Sequence, residues 1–501
     1  MLNGNSPWRL HLAQNIALIL TSIFFLPIST FVLLSSYVAS FFFFDDIPRR
    51  RRRIRASRTF VPQTILVTGV GMTKGLALAR LFYEAGHDVI GADFEPFGVQ
   101  VCGRYSRSVR RFFRLPKPTA DDGSAHYINA LLRVVKQERV DLWVSCSGVA
   151  SAVEDGQAKE VIERRSSCRA IQFDVATTST LHEKDTFTQE TERLGLPVPE
   201  THNVTSRDAV HKVLHKSPKR NSYIMKSVGV DDATRGNMTL LPRRTVSETY
   251  NHVAQIAISD RQPWVLQQFI KGKEYCTHAL VAEGKVKMFV ACPSAELLMH
   301  YEALPSDSAL SRAMLAFTME FVGRSGKSMT GHLSFDFLVD ENANEKGAEL
   351  LLKTIECNPR AHTAVTLFAG QGSEVSKCYI SLLDSSMANG NGHLDNSMEA
   401  EIVVPRQPAK YYWAGHDLVT LVLLPLLQLV QGRIAVKNWI RGCSEFTAHV
   451  LFWKDGTFEV WDPLPWWWLY HVYWPGQFLA SISQRRKWSR INVGTTKVFG
   501  C

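Results

Sequence analysis

The hydrophobic pattern of the chain is lopsided. From Leu10 to Phe44 there is no Asp, Glu, Lys or Arg, and the most apolar stretch runs from Ile16 to Phe44. About 20 apolar residues cross a bilayer as a helix, so this segment is long enough. Pro27 inside it predicts a kink or a re-entrant hairpin. Arg9 stands alone in front, whereas Arg49, Arg50, Arg51, Arg52, Arg53, Arg55 and Arg58 follow. A cleaved signal peptide carries its positive charge before the apolar core, so this order reads as a membrane anchor. The positive-inside rule then puts everything after residue 45 in the cytosol. Residues 1–59 are thus expected to be a single-pass anchor with an Arg-rich flank, meeting lipid through residues 16–44, in the endoplasmic reticulum if the cell is eukaryotic.

Beyond residue 60 the periods change to those of an α/β protein. Thr64–Thr68 is a β-branched run, Gly69 to Gly75 a glycine-bearing turn, Leu76–Ala85 a helix, and Asp88–Ala92 a strand ending at Asp93. Helix Ala125–Glu138 and strand Val140–Ser145 continue the alternation, which predicts an α/β unit over 60–180. A helix over Leu181–Leu194 stops at Gly195-Leu196-Pro197-Val198-Pro199. Strand-like segments then recur at Tyr223–Ser227, Trp264–Phe269, Tyr275–Val281, Lys285–Ala291, Leu333–Val339 and Leu350–Cys357, with helices over Thr245–Ile258 and Ala309–Val322. They make a second unit, 181–385. Residues 386–400, rich in Asn, Gly, Ser and Met, read as a linker. In 401–501, Leu418–Val430 is apolar but short for a span, and Trp466, Trp467, Trp468, Tyr470, Tyr473 and Trp474 cluster. Such aromatics suit either the lipid headgroup region or a small packed subdomain.

Composition narrows the partners. The 501 residues are 45% hydrophobic and 21% charged, which excludes a disordered chain. The net charge of +10 comes largely from the arginines after the apolar segment, so no nucleic-acid partner is expected. Nine cysteines without a CxxC exclude a zinc knuckle and point to reduced thiols.

Two places carry candidate chemistry. Gly69-x-Gly71-x-x-x-Gly75 with Asp93 one strand later fits a dinucleotide fold and an NAD(P)-dependent oxidoreductase, or else a scaffold turn. Its spacing exceeds GxGxxG by one residue. The second place lies within 184–360. Strand alternation separates Asp336 from Phe335 and Phe337, and puts Glu356 and Asn358 on one face. The polar segment Asp340–Gly347 turns the chain back about the midpoint of 336 and 356, so an antiparallel pair brings Asp336 and Glu356 together. Two carboxylates and an amide oxygen suit a hard divalent cation bridging phosphates. Arg360 can pair with phosphate or carboxylate oxygens. Upstream, Lys226 ends an apolar strand before the loop Ser227–Gly236, an arrangement that suits a triphosphate. Lys184 is a second cation. Trp264–Tyr275 is strand, turn and strand, with Glu274 opening the second. His278 and His362 are candidate proton acceptors.

That order of motifs resembles the ATP-grasp superfamily, and within it the ligases that make mycosporine-glycine from 4-deoxygadusol and glycine. The matching stretches are Gly71–Lys74, Tyr223–Pro242, Pro263–His278 and Ile355–Phe368. The resemblance implies a Rossmann-like pre-ATP-grasp domain followed by two α+β ATP-grasp subdomains. It implies ATP with Mg²⁺ or Mn²⁺, and joining of an amino acid to a small carboxylate or cyclohexenone-type substrate. Lys184 and Lys226 would contact phosphates beneath a loop holding Ser227, Gly229 and Gly236. Gln267, with the backbone of Gln268, Phe269 and Ile270, would bind adenine, and Glu274 the ribose. Asp336, Glu356 and Asn358 would hold the metal, with Arg360 and Lys226 acting on the reacting group. Gln267 departs from the superfamily's frequent Glu. An inactive membrane scaffold with the same fold is the alternative.

Overall fold

The computed structural model describes residues 2–42, 47–119, 123–146, 148, 151–218, 221–227, 239–294, 299–326, 329–340, 352–388 and 401–501. They form three larger sheets and two two-stranded ones. Strands β1 (Thr64–Thr68), β2 (Asp88–Phe94), β3 (Arg111–Leu115), β4 (Leu142–Val144) and β5 (Arg169–Ile171) make a parallel sheet in the order β3-β2-β1-β4-β5. Helices cover both of its faces, so Ile65, Leu66 and Val67 are all fully buried. A parallel strand buried on both sides reads as the continuous apolar run found there.

Strands β6 (Thr201–Val204), β7 (Tyr223–Ser227) and β8 (Trp264–Gln268) form an antiparallel sheet in the order β6-β8-β7. Its core includes Tyr223, Met225, Leu266 and Val210. Strands β9 (Gly272–Ala282), β10 (Lys285–Pro293), β11 (Gly331–Asp340) and β12 (Leu352–Asn358) form the third sheet, antiparallel, in the order β10-β9-β11-β12. Glu283 and Gly284, both at positive φ, close the β9–β10 hairpin, the conformation a two-residue turn needs to match strand twist. Phe317 and Phe321, from helix Ala309–Ser325, interlock with Phe335 and Phe337 of β11.

Local chemistry moves some boundaries. The helix expected over Leu181–Leu194 is two helices, Val175–His182 and Lys184–Arg193, because Glu183 between them is extended at ψ 134°. Asp174 caps the first through the Thr177 amide at 2.7 Å. Lys184 therefore opens a helix instead of lying within one. Helix Gly372–Ala388 runs into the expected linker, whose residues 389–400 lie outside the described ones. The C-terminal hundred residues are a packed unit. They hold helices Ala414–Val430, Val436–Phe452 and Leu464–Ser483, the parallel pair β13 (Tyr411–Tyr412) and β14 (Lys454–Asp455), and the hairpin β15 (Trp488–Asn492) and β16 (Lys497–Gly500).

One apolar cluster joins the parts. It contains Val67 and Phe82 of the first unit, Cys276 and Leu280 of β9, Phe368 and Tyr379, and Trp413, Tyr473 and Trp488 of the last. At the other end, Trp8–Phe42 is a single 35-residue helix that continues through Pro27 without turning back. Among the described residues it alone is long and apolar enough to cross a membrane.

Candidate active site

Strands β11 and β12 pair so that Asp336 faces Glu356 and Ser334 faces Asn358, with a bulge directly after Asp336. Asn358 Nδ2 donates to Asp336 Oδ2 at 3.2 Å. Burial pushes the Asp336 carboxyl well above the usual range, and the nearby Glu356 and Glu274 push it further, while Arg360 and the Asn358 hydrogen bond pull back. Three carboxylates thus repel one another at the junction of β9, β11 and β12.

One lysine faces them from the three-stranded sheet. Lys226, on β7, donates from Nζ to Gln267 Oε1 of the adjacent β8 at 2.6 Å. Burial lowers it to about 8, and Lys184 lowers it too, while Glu356, Glu274 and Asp336 act in the opposite direction. Lys226 from one sheet and Asp336, Glu356 and Glu274 from the other therefore converge electrostatically, with Lys184, at the start of its helix, close enough to act on Lys226. Arg360 sits behind the carboxylates, tied through its amide to the Asn358 carbonyl at 2.8 Å.

The expected adenine strand is arranged less freely. Gln267 is buried, and its Nε2 donates to Thr201 Oγ1 at 3.1 Å, so the side chain is held at both ends. Its carbonyl oxygen keeps a second lone pair beyond the Lys226 bond. The amides of Gln268 and Phe269 donate to the carbonyls of Glu200 and Ser222, both at 2.7 Å. Ile270 is buried. Glu274 lies at the exposed start of β9 and accepts from Ser294 Oγ at 3.0 Å. Ser227 ends β7, and Gly229 and Gly236 lie outside the described residues.

The histidines are core groups. His278 Nδ1 accepts from the His362 amide at 3.3 Å, and burial, with Lys74 nearby, holds His278 down at about 3. His362 is likewise pushed well below the usual range by burial, then by His278 and Arg360. A ring nitrogen that takes a proton only near pH 3, as on His278, is a poor proton acceptor at neutral pH.

The Gly69–Gly75 turn is closed by the protein itself. Asp93 Oδ2 accepts the Gly71 amide and Oδ1 the Phe94 amide, each at 2.7 Å. Burial still raises Asp93 to about 7 against those two bonds. A Cβ on Gly75 would lie 2.2 Å from the Gly69 carbonyl oxygen, and one on Gly71 2.7 Å from Val101. The Thr73 amide at the following helix start donates to Gly494 at 2.8 Å, and Trp413 Nε1 reaches Thr73 Oγ1 at 3.1 Å. These glycines admit backbone and C-terminal residues where a pyrophosphate would have to lie, which removes the geometric basis of the dinucleotide reading.

Sequence reasoning passed over Lys74 as a site residue. Only 3% exposed, it donates to the Ala361 carbonyl at 2.9 Å. Burial, then Arg360, lowers it to about 7. A lysine directly before a helix glycine looks ordinary in the sequence; only the fold brings it beside Arg360. Likewise unmarked in the sequence is Asp417. It is fully buried between His300, at 3.1 Å, and His449, at 2.6 Å, and ties the third sheet's side of the molecule to the C-terminal unit.

No family model and no curated protein sequence matches the chain. Solved structures do resemble it. An L-amino acid ligase from Bacillus licheniformis is 14% identical, with a TM-score of 0.43 over 72% of this chain and 81% of that one. The N5-carboxyaminoimidazole ribonucleotide synthetase PurK, in complex with ADP, is 13% identical, with a TM-score of 0.49 over 75% and 88%. A carboxyaminoimidazole ribonucleotide synthase from Aspergillus clavatus, in complex with ATP, is 12% identical, with a TM-score of 0.46 over 70% and 81%.

Proposed function

We propose that the chain is an ATP-dependent ligase that joins an amino acid amine to a small carboxylate, or to an enolised cyclohexenone. The carrying observation is the half-buried pairing of Asp336 with Glu356, facing Lys226 of the neighbouring sheet, with Lys184 close to Lys226. Repelling carboxylates in a dry site are costly unless a cation joins them. Their all-oxygen donor set, with Asn358 alongside, fits Mg²⁺ or Mn²⁺. Asp336, Glu356 and Asn358 would hold that ion, which supplies charge neutralisation for the nucleotide phosphates.

The protein's own groups then do the positioning. Lys226, oriented by Gln267, and Lys184 bind phosphate oxygens. Gln267 and the chain through Gln268, Phe269 and Ile270 hold adenine, and Glu274 the ribose. The γ-phosphoryl group passes to a carboxylate oxygen of the acid and ADP leaves. The amine nitrogen then bonds to the activated carbon, phosphate departs with the bonding pair, and the nitrogen loses a proton. Arg360 offsets charge on the transferring phosphoryl and on the phosphate that leaves. On this reading the ligase works in specialised metabolism.

The test is ADP release by the full chain in lipid nanodiscs, screened over amino acids against small carboxylates and cyclohexenones. One pair should give release that needs both partners and is lost in Asp336→Asn. Release from no pair, with ATP binding intact, would instead leave a non-catalytic ATP-binding scaffold.

A further inference from the structure

The helix Trp8–Phe42 is docked along its whole length. Asn15 Oδ1 accepts Trp488 Nε1 at 3.0 Å, Ser22 Oγ donates to the Tyr470 carbonyl at 2.8 Å, and Thr30 Oγ1 accepts Trp467 Nε1 at 3.0 Å. The Arg107 guanidinium lies 4.9 Å over the Tyr37 ring. These positions recur about every seven to eight residues, or two helical turns, and so form one stripe. Past the helix, Arg51 bonds the carbonyls of Tyr83 and His87, and Arg51 and Arg55 pair with Asp88. Asn15, Ser22, Thr30 and Tyr37 of an otherwise apolar helix thus point at the body.

The opposite stripe is bare. Phe24 and Phe31 are 72% and 71% exposed, and Leu20, Leu34, Val38 and Phe41 continue the same face. The C-terminal helices expose apolar groups as well, among them Leu427, Val430 at 79%, Ile440, Leu451 and Phe452 at 79%. The two sets are neighbours. A mainly apolar cavity of about 860 Å³ lies between them, lined by Leu18, Phe25 and Val32 from the first helix and by Leu418, Phe446 and Val450 from the others.

A crossing helix does not fit this arrangement. Asn15 and Tyr37 are roughly 33 Å apart at 1.5 Å per residue, about the thickness of the hydrocarbon core. Their partners would have to occupy opposite leaflets, with the body between them in hydrocarbon. Arg107, whose amide is bonded to Asp462 at 2.9 Å, belongs to that body. An apolar face with a polar back and a basic flank instead matches a helix lying in the plane of the interface. The flank is the helix Ile47–Arg55, in which Arg50, Arg52 and Arg53 point outward.

We propose that the chain is monotopic. Helix Trp8–Phe42 and helices Ala414–Val430 and Val436–Phe452 form one face embedded in a single leaflet, lipid hydrocarbon fills the cavity between them, and both termini lie on the same side. This stands apart from the ligase reading.

Two measurements on the full chain test it. The first uses Asn5→Cys in sealed vesicles with a membrane-impermeant maleimide, with exposed Cys501 as internal reference. The two thiols should be labelled together or protected together, whichever way the vesicles face. Labelling of one with protection of the other overturns the proposal. The second places a fluorophore at Phe31→Cys or Val430→Cys in phosphatidylcholine vesicles carrying a doxyl-labelled acyl chain. Both should be quenched to within about twofold of each other. Quenching at Phe31 alone marks a lone span, and quenching at neither marks a face covered by protein; either result overturns it.

Discussion

Two places in this molecule bring glycine, lysine and carboxylate together, and they end differently. At the Gly69–Gly75 turn every group has been answered from within. Asp93 takes two amides, Gly494 takes the Thr73 amide, and the glycines leave room only for neighbouring backbone and side chains. Between β7, β11 and β12, carboxylates face carboxylates and lysines face lysines, so burial adds to repulsion. A fold tolerates such crowding where a ligand supplies the missing charge. Motif spacing marks both places alike; the state of the charges tells them apart.

Four experiments sharpen the contrast. Glu356→Gln should lower ADP release at least ~100-fold, the scale of removing one electrostatic contact from an active site. It should also raise the nucleotide-free melting temperature, because a repelling carboxylate is gone. Retained turnover breaks the assignment. Lys226→Met should lower release by a similar factor of about 100, and in a calorimetric titration should weaken ATP binding while leaving the fold intact by circular dichroism.

The third is a pH profile. Lys226 is held at about 8, below its ordinary 10.5, so it is charged below pH 8 and loses its proton above. ATP affinity should therefore be flat below pH 7 and about tenfold weaker at pH 9, following the protonated fraction. Rising affinity over that range excludes Lys226 as a phosphate ligand. The smallest effect on turnover belongs to the sealed turn. Asp93→Ala strands two amides, costing about 1–3 kcal/mol for each by denaturant titration. ADP release per folded molecule should be unchanged, and neither the variant nor the parent chain should bind NAD(P) saturably.

Much of this was written in local sequence. The alternation at Ser334–Val339 and Lys353–Asn358, about a polar turn, is enough to set Asp336 against Glu356, because side-chain direction in a strand has period two. The β-branched run before Gly69 likewise announces a buried parallel strand. What stayed hidden depends on residues far apart in the chain. Nothing near Thr73 reveals that Trp413 and Gly494 will cover it. Lys74 acquires its low basicity from burial first and from Arg360 second, and the break at Glu183 follows from an extended backbone there that periodicity does not register. The apolar N-terminus was legible as a helix long and apolar enough to cross a membrane. Its orientation was not, since single polar residues such as Ser22 and Thr30 carry little hydropathy, yet their hydrogen bonds hold the helix along the body.

The Ser22–Tyr470 and Asn15–Trp488 contacts join the two ends of the chain, and Lys487 Nζ reaches the Gly4 carbonyl at 2.7 Å. The ribosome therefore makes the most apolar helix first and its docking partners last. At about 5–20 residues per second, that helix waits tens of seconds for Trp467, Tyr470 and Trp488. A nascent chain held so long with bare phenylalanines needs a chaperone or a bilayer to shelter it, and truncation near residue 460 should yield an aggregating product even though all three sheets have by then been synthesised.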